Sequence, residues 1–241
     1  MKVLIAVATY NEVENIPTLV ERLNQIVPDA DILIVDDDSP DGTGQWCKEA
    51  SMVNDHLDVI IRKDERGLGS ATIRGMQEAI NRGYDVWLGM DADFSHPPEK
   101  VPALISRLAD SGEREVDVVI GSRYTKGGSV DGWPVRRRLM SRGVNLYART
   151  LMGLPVKDCS GAFRCCRTKI LERIDFEIFR STGYSFFEEF LWHAKRAGAR
   201  FAEVPFTFTD RRFGASKLNG SEAAKSLAVM ARLGVKNWLK F

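Results

Sequence analysis

Two acidic turns hold the residues best able to do chemistry in this chain: Asp36-Asp37-Asp38-Ser39-Pro40-Asp41-Gly42-Thr43, and Asp91-Ala92-Asp93. Carboxylates this dense repel one another unless something positive sits between them, and a hard divalent cation with oxygen ligands is the usual answer. Magnesium or manganese in turn implies phosphate. Asp, Ser, Pro and Gly are also ordinary turn formers, so either turn alone reads equally as a solvated loop. Each, however, directly follows an apolar run, Ile32 to Val35 and Val86 to Met90. In an open α/β sheet ligands bind beyond the carboxyl ends of the strands, so two such turns can meet on one ligand.

The elements that must position these turns alternate strand and helix: Val3 to Ala8, a helix near Glu14 to Ile26, Ile32 to Val35, a short helix after Gly42, Leu57 to Ile61, a helix from about Ser70 to Arg82, and Asp85 to Leu88. Such alternation predicts an α/β fold with a Rossmann-like, mostly parallel central sheet and helices on both faces. Asn11 and Glu14 have the spacing of a capping box, which predicts where the first helix starts. A helix over about Pro98 to Ala109 and a strand Val116 to Gly121 follow. Lys126 to Gly132 is rich in glycine and reads as a mobile surface loop. A basic amphipathic helix near Arg136 to Met152, a strand around Ala162 to Cys166, a helix near Phe187 to Arg196 and a strand Phe201 to Phe208 complete the reading.

At 241 residues and 44% hydrophobic, with 34 basic and 33 acidic residues, the chain can bury one large core, so residues 1–241 read as a single domain. No stretch reaches the roughly 20 apolar residues of a membrane span, and a cytoplasmic protein is expected. Near-neutral charge argues against nucleic-acid binding. Cys47, Cys159, Cys165 and Cys166 lack zinc-site spacing and read as buried thiols. Gly67-Leu68-Gly69 invites a dinucleotide reading, but a third glycine is missing and the first strand is not the one it follows, which favours a close-packed helix entry. Further cations mark the second half: Arg123 in Gly121-Ser122-Arg123-Tyr124 and the run Asp210-Arg211-Arg212-Phe213-Gly214-Ala215-Ser216-Lys217. Arginine forks match phosphate oxygens, whereas Lys217 would act as a point charge.

Taken in order, Thr9-Tyr10-Asn11-Glu12, Val35-Asp36-Asp37, Ser39 to Thr43, Gly67 to Gly69, Asp91 to Asp93 with Ser95-His96-Pro97, Gly121 to Tyr124, Gly132-Trp133, Ser141 to Gly143, Ser160-Gly161 with Phe163-Arg164, and Asp210-Arg211 with Ser216-Lys217 resemble the dolichol-phosphate mannosyltransferases, inverting family 2 glycosyltransferases. The resemblance runs from residue 3 to about residue 220. It implies a GT-A fold, GDP-mannose as donor, a polyprenyl or dolichyl phosphate as acceptor, and Mg2+ or Mn2+. It also implies that Tyr10, Glu12, Val35 and Asp37 hold the nucleotide, and that Asp91, Ala92 and Asp93 reach the metal and diphosphate. Arg123, Arg211 and Lys217 would bridge the donor and acceptor phosphates, with Arg137 and Ser141 as further acceptor contacts. Ser95 stands where some relatives have a glutamine metal ligand, so a water would complete its reach. Ala8 replaces a usual proline. UDP-glucose or another nucleotide sugar is the alternative donor; a nucleotidyltransferase and a nucleotide sensor fit the basic segments less well.

The C-terminal helix over 220–241 has two readings. Ala224, Leu227, Ala231, Val235, Trp238 and Leu239 form a stripe that could dock into the core, or lie at the cytoplasmic face of an anionic membrane or on a small membrane-embedded partner.

Overall fold

The computed structural model describes residues 1–110, 115–181, 183, 185–210 and 220–238, and for 220–227 the helical backbone alone. In chain order the first half holds β1 (Val3–Thr9), α1 (Ile16–Ile26), β2 (Asp31–Asp36), α2 (Thr43–Ser51), β3 (Leu57–Ile61), α3 (Leu68–Asn81), β4 (Val86–Met90) and α4 (Val101–Ala109). The second holds β5 (Val118–Ser122), β6 (Ser129–Asp131), α5 (Val135–Met152), β7 (Arg164–Arg167), α6 (Thr168–Leu171), α7 (Phe186–Arg196), β8 (Phe201–Pro205), β9 (Thr207–Thr209) and α8 (Gly220–Trp238).

Seven strands form one sheet in the order β3-β2-β1-β4-β7-β5-β8. Every neighbour pair is parallel except those of β7, which runs antiparallel to β4 and β5. The apolar runs of the inner strands are continuous because helices cover both faces. Val3, Ile5, Val7, Ile34 and Leu88 face Leu19, Leu23 and Leu104 on one side, while Leu4, Ala6, Leu33, Val35 and Trp87 face Met76, Phe186 and Phe190 on the other. At Gly75 helix α3 comes so close to β1 that an added Cβ would stand 2.8 Å from the Ala6 Cβ. Because β7 is reversed, the chain just before it crosses the carboxyl edge of β4 and β5, and this delivers residues 158–163 to the same edge as the acidic turns.

Three local expectations are corrected. The first helix begins at Ile16 after Asn15, not at Asn11: Asn11, with a left-handed φ of 61°, belongs to the loop, where its N–H donates to Ser39, and the early helical turn carries Pro17. The glycine-rich 126–132 segment is not wholly a loop, since β6 pairs in parallel with β9, with Ser129 and Thr207 hydroxyls 2.9 Å apart. Gly127 and Gly132, with φ of 93° and 80°, turn the chain on either side and leave three residues free to pair. The strand expected over 201–208 is split at Phe206, whose buried ring and N–H to the Ser122 carbonyl hand the chain from one sheet to the other.

Helix α8 docks on α5 and α7, burying Met230 and Leu233 while Val235 and Trp238 stay exposed. The docked face is therefore not the expected stripe, of which Ala224, Leu227 and Leu239 lie outside the described side chains. Among the described residues no helix is long and apolar enough to cross a membrane.

Candidate active site

Loops after β1, β2 and β4 converge at the carboxyl edge, beside the point where strand order turns from β2-β1 to β4. Each carries one residue in the left-handed region, Asn11, Asp38 and Phe94, with φ of 61°, 54° and 59°. Such a conformation costs about 1–2 kcal/mol outside glycine and persists where its surroundings over-determine it, most often at functional sites.

The first acidic turn is satisfied from within the protein. Buried Asp36 accepts from the Thr9 hydroxyl at 2.8 Å and from the Ser39 hydroxyl at 2.6 Å and backbone N–H at 2.9 Å. Asp37 holds the Arg62 fork, with Nε at 2.9 Å and a second contact through Nη2, and accepts from the Gly67 N–H at 2.7 Å. Asp41 accepts from the Val13 N–H at 3.0 Å and from the Thr43 hydroxyl at 2.6 Å, and those bonds hold its carboxyl below the usual carboxylate range against the upward push of partial burial. The Asn11 and Glu12 N–H groups donate to Ser39 and Thr43, both at 2.9 Å. The turn thus ties the β1 loop to β2. The expected cation shared by both turns is not needed here, because Arg62 and backbone donors supply the positive counterpart. Arg66 lies over the Tyr10 ring at 5.1 Å, and Gly67, with φ of 143°, enters α3 as the helix-entry reading expects.

The second turn is built differently. Asp93 accepts from the Ser95 N–H at 3.0 Å, and the buried Ser95 hydroxyl oxygen has no hydrogen-bond partner among the described residues. His96 accepts at Nδ1 from the Asp91 N–H at 3.0 Å and stacks on Phe163 at 5.1 Å. Complete burial pushes this imidazole down, outweighing the pull of Asp91 and Asp93, so it stands neutral at pH 7. A cavity reaches Asp91 from the side of Ala8, Val35, Leu68, Thr72 and Ala162. Among the described residues no three His, Cys, Asp or Glu side chains form a metal-ready group. Asp91 and Asp93 are the carboxylates of this turn.

Across the edge, Arg123 at the end of β5 is buried. Its Nε and Nη2 each lie 2.7 Å from Asp158, its backbone N–H donates to Asp158 at 2.9 Å, and Nη2 reaches the Ser160 hydroxyl at 2.9 Å. Burial alone would raise the Asp158 carboxyl; the Arg123 charge and hydrogen bonds overcome it and hold the acid low. The guanidinium also lies 5.6 Å from the Phe208 ring and 5.8 Å from Trp133, and Arg137 sits 3.9 Å over Trp133 while pairing with Asp210 at 3.0 Å. His96 meets Phe208 edge-on at 6.3 Å, so one aromatic chain joins the Asp91–Asp93 turn to the Arg123 clamp. Beneath the clamp, fully buried Arg164 donates to the Phe187 carbonyl at 2.6 Å. Burial pushes nearby Glu188 up to about 7, against the attraction of Arg164.

Tyr10, Glu12, Val35, Asp37, Asp91, Ala92, Asp93, Ser95 and Arg123 thus share one edge of the sheet, with the Val35 side chain in the core and Arg123 committed to Asp158. Arg211 and Lys217 lie outside the described residues; Asp210, immediately before them, reaches Arg137. Sequence reasoning missed Arg62, Asp158 and Glu188 as site supports. It quoted His96 without a role, although its place directly after the acidic turn was a signal.

A nucleotide-type α/β half whose switch-point crevice faces an Asp-x-Asp turn and a cationic second half define a GT-A glycosyltransferase. Residues 4–175 match the family model Glycosyl transferase family 2. Full-length relatives include polyprenol monophosphomannose synthase of Mycolicibacterium smegmatis, 40% identical over 99% of this chain and 89% of that one, and undecaprenyl-phosphate mannosyltransferase of Micrococcus luteus, 39% identical over 98% and 95%. The chain belongs to glycosyltransferase family 2. A solved structure of glucosyl-3-phosphoglycerate synthase from Mycobacterium tuberculosis in complex with UDP shares the fold, with a TM-score of 0.69 and 18% identity over 97% of this chain and 80% of that one.

Proposed function

We propose that this enzyme transfers mannose from GDP-mannose to a polyprenyl or dolichyl phosphate with inversion, working peripherally at a membrane surface. The observation that carries the reading is the aromatic chain through His96 and Phe208 that joins the Asp91–Asp93 turn to the Arg123–Asp158 clamp at the carboxyl edge of the sheet, in a chain whose relatives, matched over nearly all of it, bear polyprenyl-phosphate mannosyltransferase names. The residues fit a divalent cation: two carboxylates and a buried, unpartnered Ser95 hydroxyl form an all-oxygen donor set. Asp91 and Asp93 would hold Mg2+ or Mn2+, with Ser95 assisting directly or through water. When bound, such an ion neutralises charge developing on the leaving diphosphate.

The chain's own residues do the rest. Tyr10, Glu12, Val35 and Asp37 border the nucleotide side, and Arg62 keeps the Asp37 carboxylate fixed. A phosphate monoester has a second pKa of about 6, so the acceptor is already a dianionic nucleophile at neutral pH and needs no protein base. What it needs is approach without repulsion, the task assigned to Arg123, Arg211 and Lys217, with Arg137 and Ser141 nearby. Asp158 fixes the plane of the Arg123 fork.

Asp93→Asn tests this. The near-isosteric change keeps the fold while removing a charged ligand, so turnover with GDP-mannose and a polyprenyl phosphate is abolished and Mn2+-dependent donor affinity is lost. Calorimetry giving wild-type affinity for donor plus Mn2+ in that variant would refute the metal assignment. A thermal-shift panel of GDP-mannose, UDP-glucose and UDP-N-acetylglucosamine with Mn2+ identifies the donor, the expected response being to GDP-mannose.

A further inference from the structure

Residues 62–67, between β3 and α3, carry a guanidinium to which the proposed reaction gives no task. Arg62 braces both ends of this segment. Besides holding Asp37, it donates to Glu65 at 3.1 Å, to the Ser70 hydroxyl at 3.0 Å and to the Gly67 carbonyl at 3.2 Å. Gly67 completes the brace by donating its N–H to Asp37 at 2.7 Å. Arg66 is thereby carried to the β1 loop, where its guanidinium lies 5.1 Å from the centre of the Tyr10 ring and Nη1 donates to the Tyr10 hydroxyl at 3.3 Å. Arg66 is exposed, that bond is its single one among the described residues, and no carboxylate pairs with it there. A lone exposed arginine is ordinary. An unpaired fork held at the nucleotide side by a braced segment is placed to meet a ligand that offers acceptors.

We infer that Arg66 reads the base of the donor nucleotide, its fork taking the O6 and N7 acceptors of guanine. Position sets phosphate aside as its ligand. Asp91 and Asp93 follow β4, whereas residues 62–67 follow β3. The strand order β3-β2-β1-β4 puts three spacings of about 4.8 Å between those two strands, roughly 14 Å in all. A nucleotide whose diphosphate meets the β4 turn runs its base the other way, past Tyr10 and Asp37 towards β3. Chemistry then selects the base. The outer edge of guanine offers two adjacent acceptors that match a guanidinium fork. Adenine presents a donor beside N7, and uracil presents O4 beside a carbon-bound hydrogen, so neither accepts both prongs. The inference deepens the GDP-mannose reading, on which it rests for the presence of a nucleotide, and names the residue that would tell GDP from UDP.

The experiment titrates the full-length protein, with Mn2+ in excess, against GDP, inosine diphosphate, 7-deaza-GDP and UDP in a calorimeter. The wild type is expected to bind GDP about tenfold more tightly than 7-deaza-GDP, in which a carbon replaces N7 and one charge-assisted hydrogen bond is lost. Arg66→Ala should weaken GDP and inosine diphosphate alike, because both keep O6 and N7, by about tenfold to a hundredfold. The same variant should leave UDP within about twofold of its wild-type affinity and no longer separate GDP from 7-deaza-GDP. The wild-type comparison involves no substitution, so it tests the inference whatever the variant does to folding. Equal losses for GDP and UDP in Arg66→Ala, a preference for GDP over 7-deaza-GDP that survives the substitution, or no such preference in the wild type would overturn it. Mannose transfer from GDP-mannose by a protein indifferent to N7 and to Arg66 refutes the base reader alone. GDP binding with the expected dependence on both, but without transfer to a polyprenyl phosphate, refutes the proposed reaction alone.

Discussion

The buried charges around Arg123 show how much of a site is built from residues that hold another side chain in place. Arg123 and Asp158 are 35 positions apart and both are buried. Asp158→Asn strands the guanidinium without its counter-charge, so a loss of about 3–5 kcal/mol of stability is expected in chemical denaturation. Glu188 gives a pH signature. Its folded carboxyl is raised to about 7 from the ordinary 4.5, chiefly by burial, so the folded state binds its proton more tightly than the unfolded chain does. The sign follows: native stability contributed by this group is full below about 4.5, falls as pH climbs towards 7, and is flat above that. Glu188→Gln removes the dependence. The stability of the variant relative to the wild type therefore rises between about pH 5 and 7 and then levels off, read from denaturant midpoints across that range; a difference that is constant with pH would contradict it. Arg123 was legible in the sequence as a cation ending an apolar strand. Asp158 and Glu188 were not, because nothing periodic marks a partner that only the reversed β7 brings to the edge.

Elements were legible where burial on both faces writes itself as a continuous apolar run, as in Ile32 to Val35 and Val86 to Met90. They were hidden where pairing rather than patterning decides. Strand β6 is three residues between glycine turns; β7, Arg164-Cys165-Cys166-Arg167, falls where a strand is expected around Ala162 to Cys166, but its reversed direction does not follow from composition. The start of α1 was misplaced because Asn11 serves a loop in a left-handed conformation rather than a cap. Helix glycines make the consequences of close approach measurable. Alanine is favoured over glycine in a helix interior by about 1 kcal/mol. At Gly143 in α5 an added Cβ meets nothing within 4 Å, so Gly143→Ala should stabilise by up to that amount. At Gly75 in α3 the same methyl stands 2.8 Å from the Ala6 Cβ and 3.3 Å from Trp87 Nε1. Overfilling of this kind costs about 1–3 kcal/mol, which outweighs the propensity gain and makes Gly75→Ala destabilising. Thermal unfolding of the two variants side by side checks the opposite signs.

At the scale of the whole molecule, α8 is the element whose role the sequence left open. Its stripe suited both a membrane and a core, and only tertiary contact separates the two. Met230 and Leu233 are buried against α5 and α7, the Trp238 indole donates to the Leu151 carbonyl at 3.0 Å, and Lys195 of α7 donates to the Met152 carbonyl at 3.2 Å beside Asn237. Helix α8 therefore clasps the C-terminal ends of α5 and α7, and α5 carries Ser141 and Asn145 on to the Arg123 clamp. Truncation after residue 219 strips Met230 and Leu233, the buried large side chains among the described residues of α8, each worth about 2–5 kcal/mol, and at about 2–4 °C per kcal/mol for a chain of this size the melting temperature should fall by on the order of 10 °C. Because the loosened parts belong to the site itself, turnover should fall by similar factors on a liposome-embedded acceptor and on a short soluble one. A loss confined to the liposome-embedded acceptor would instead mark a membrane contact. A truncated chain that melts within about 2 °C of the full one, yet fails only on liposomes, would give α8 the membrane-facing role instead of the clasp.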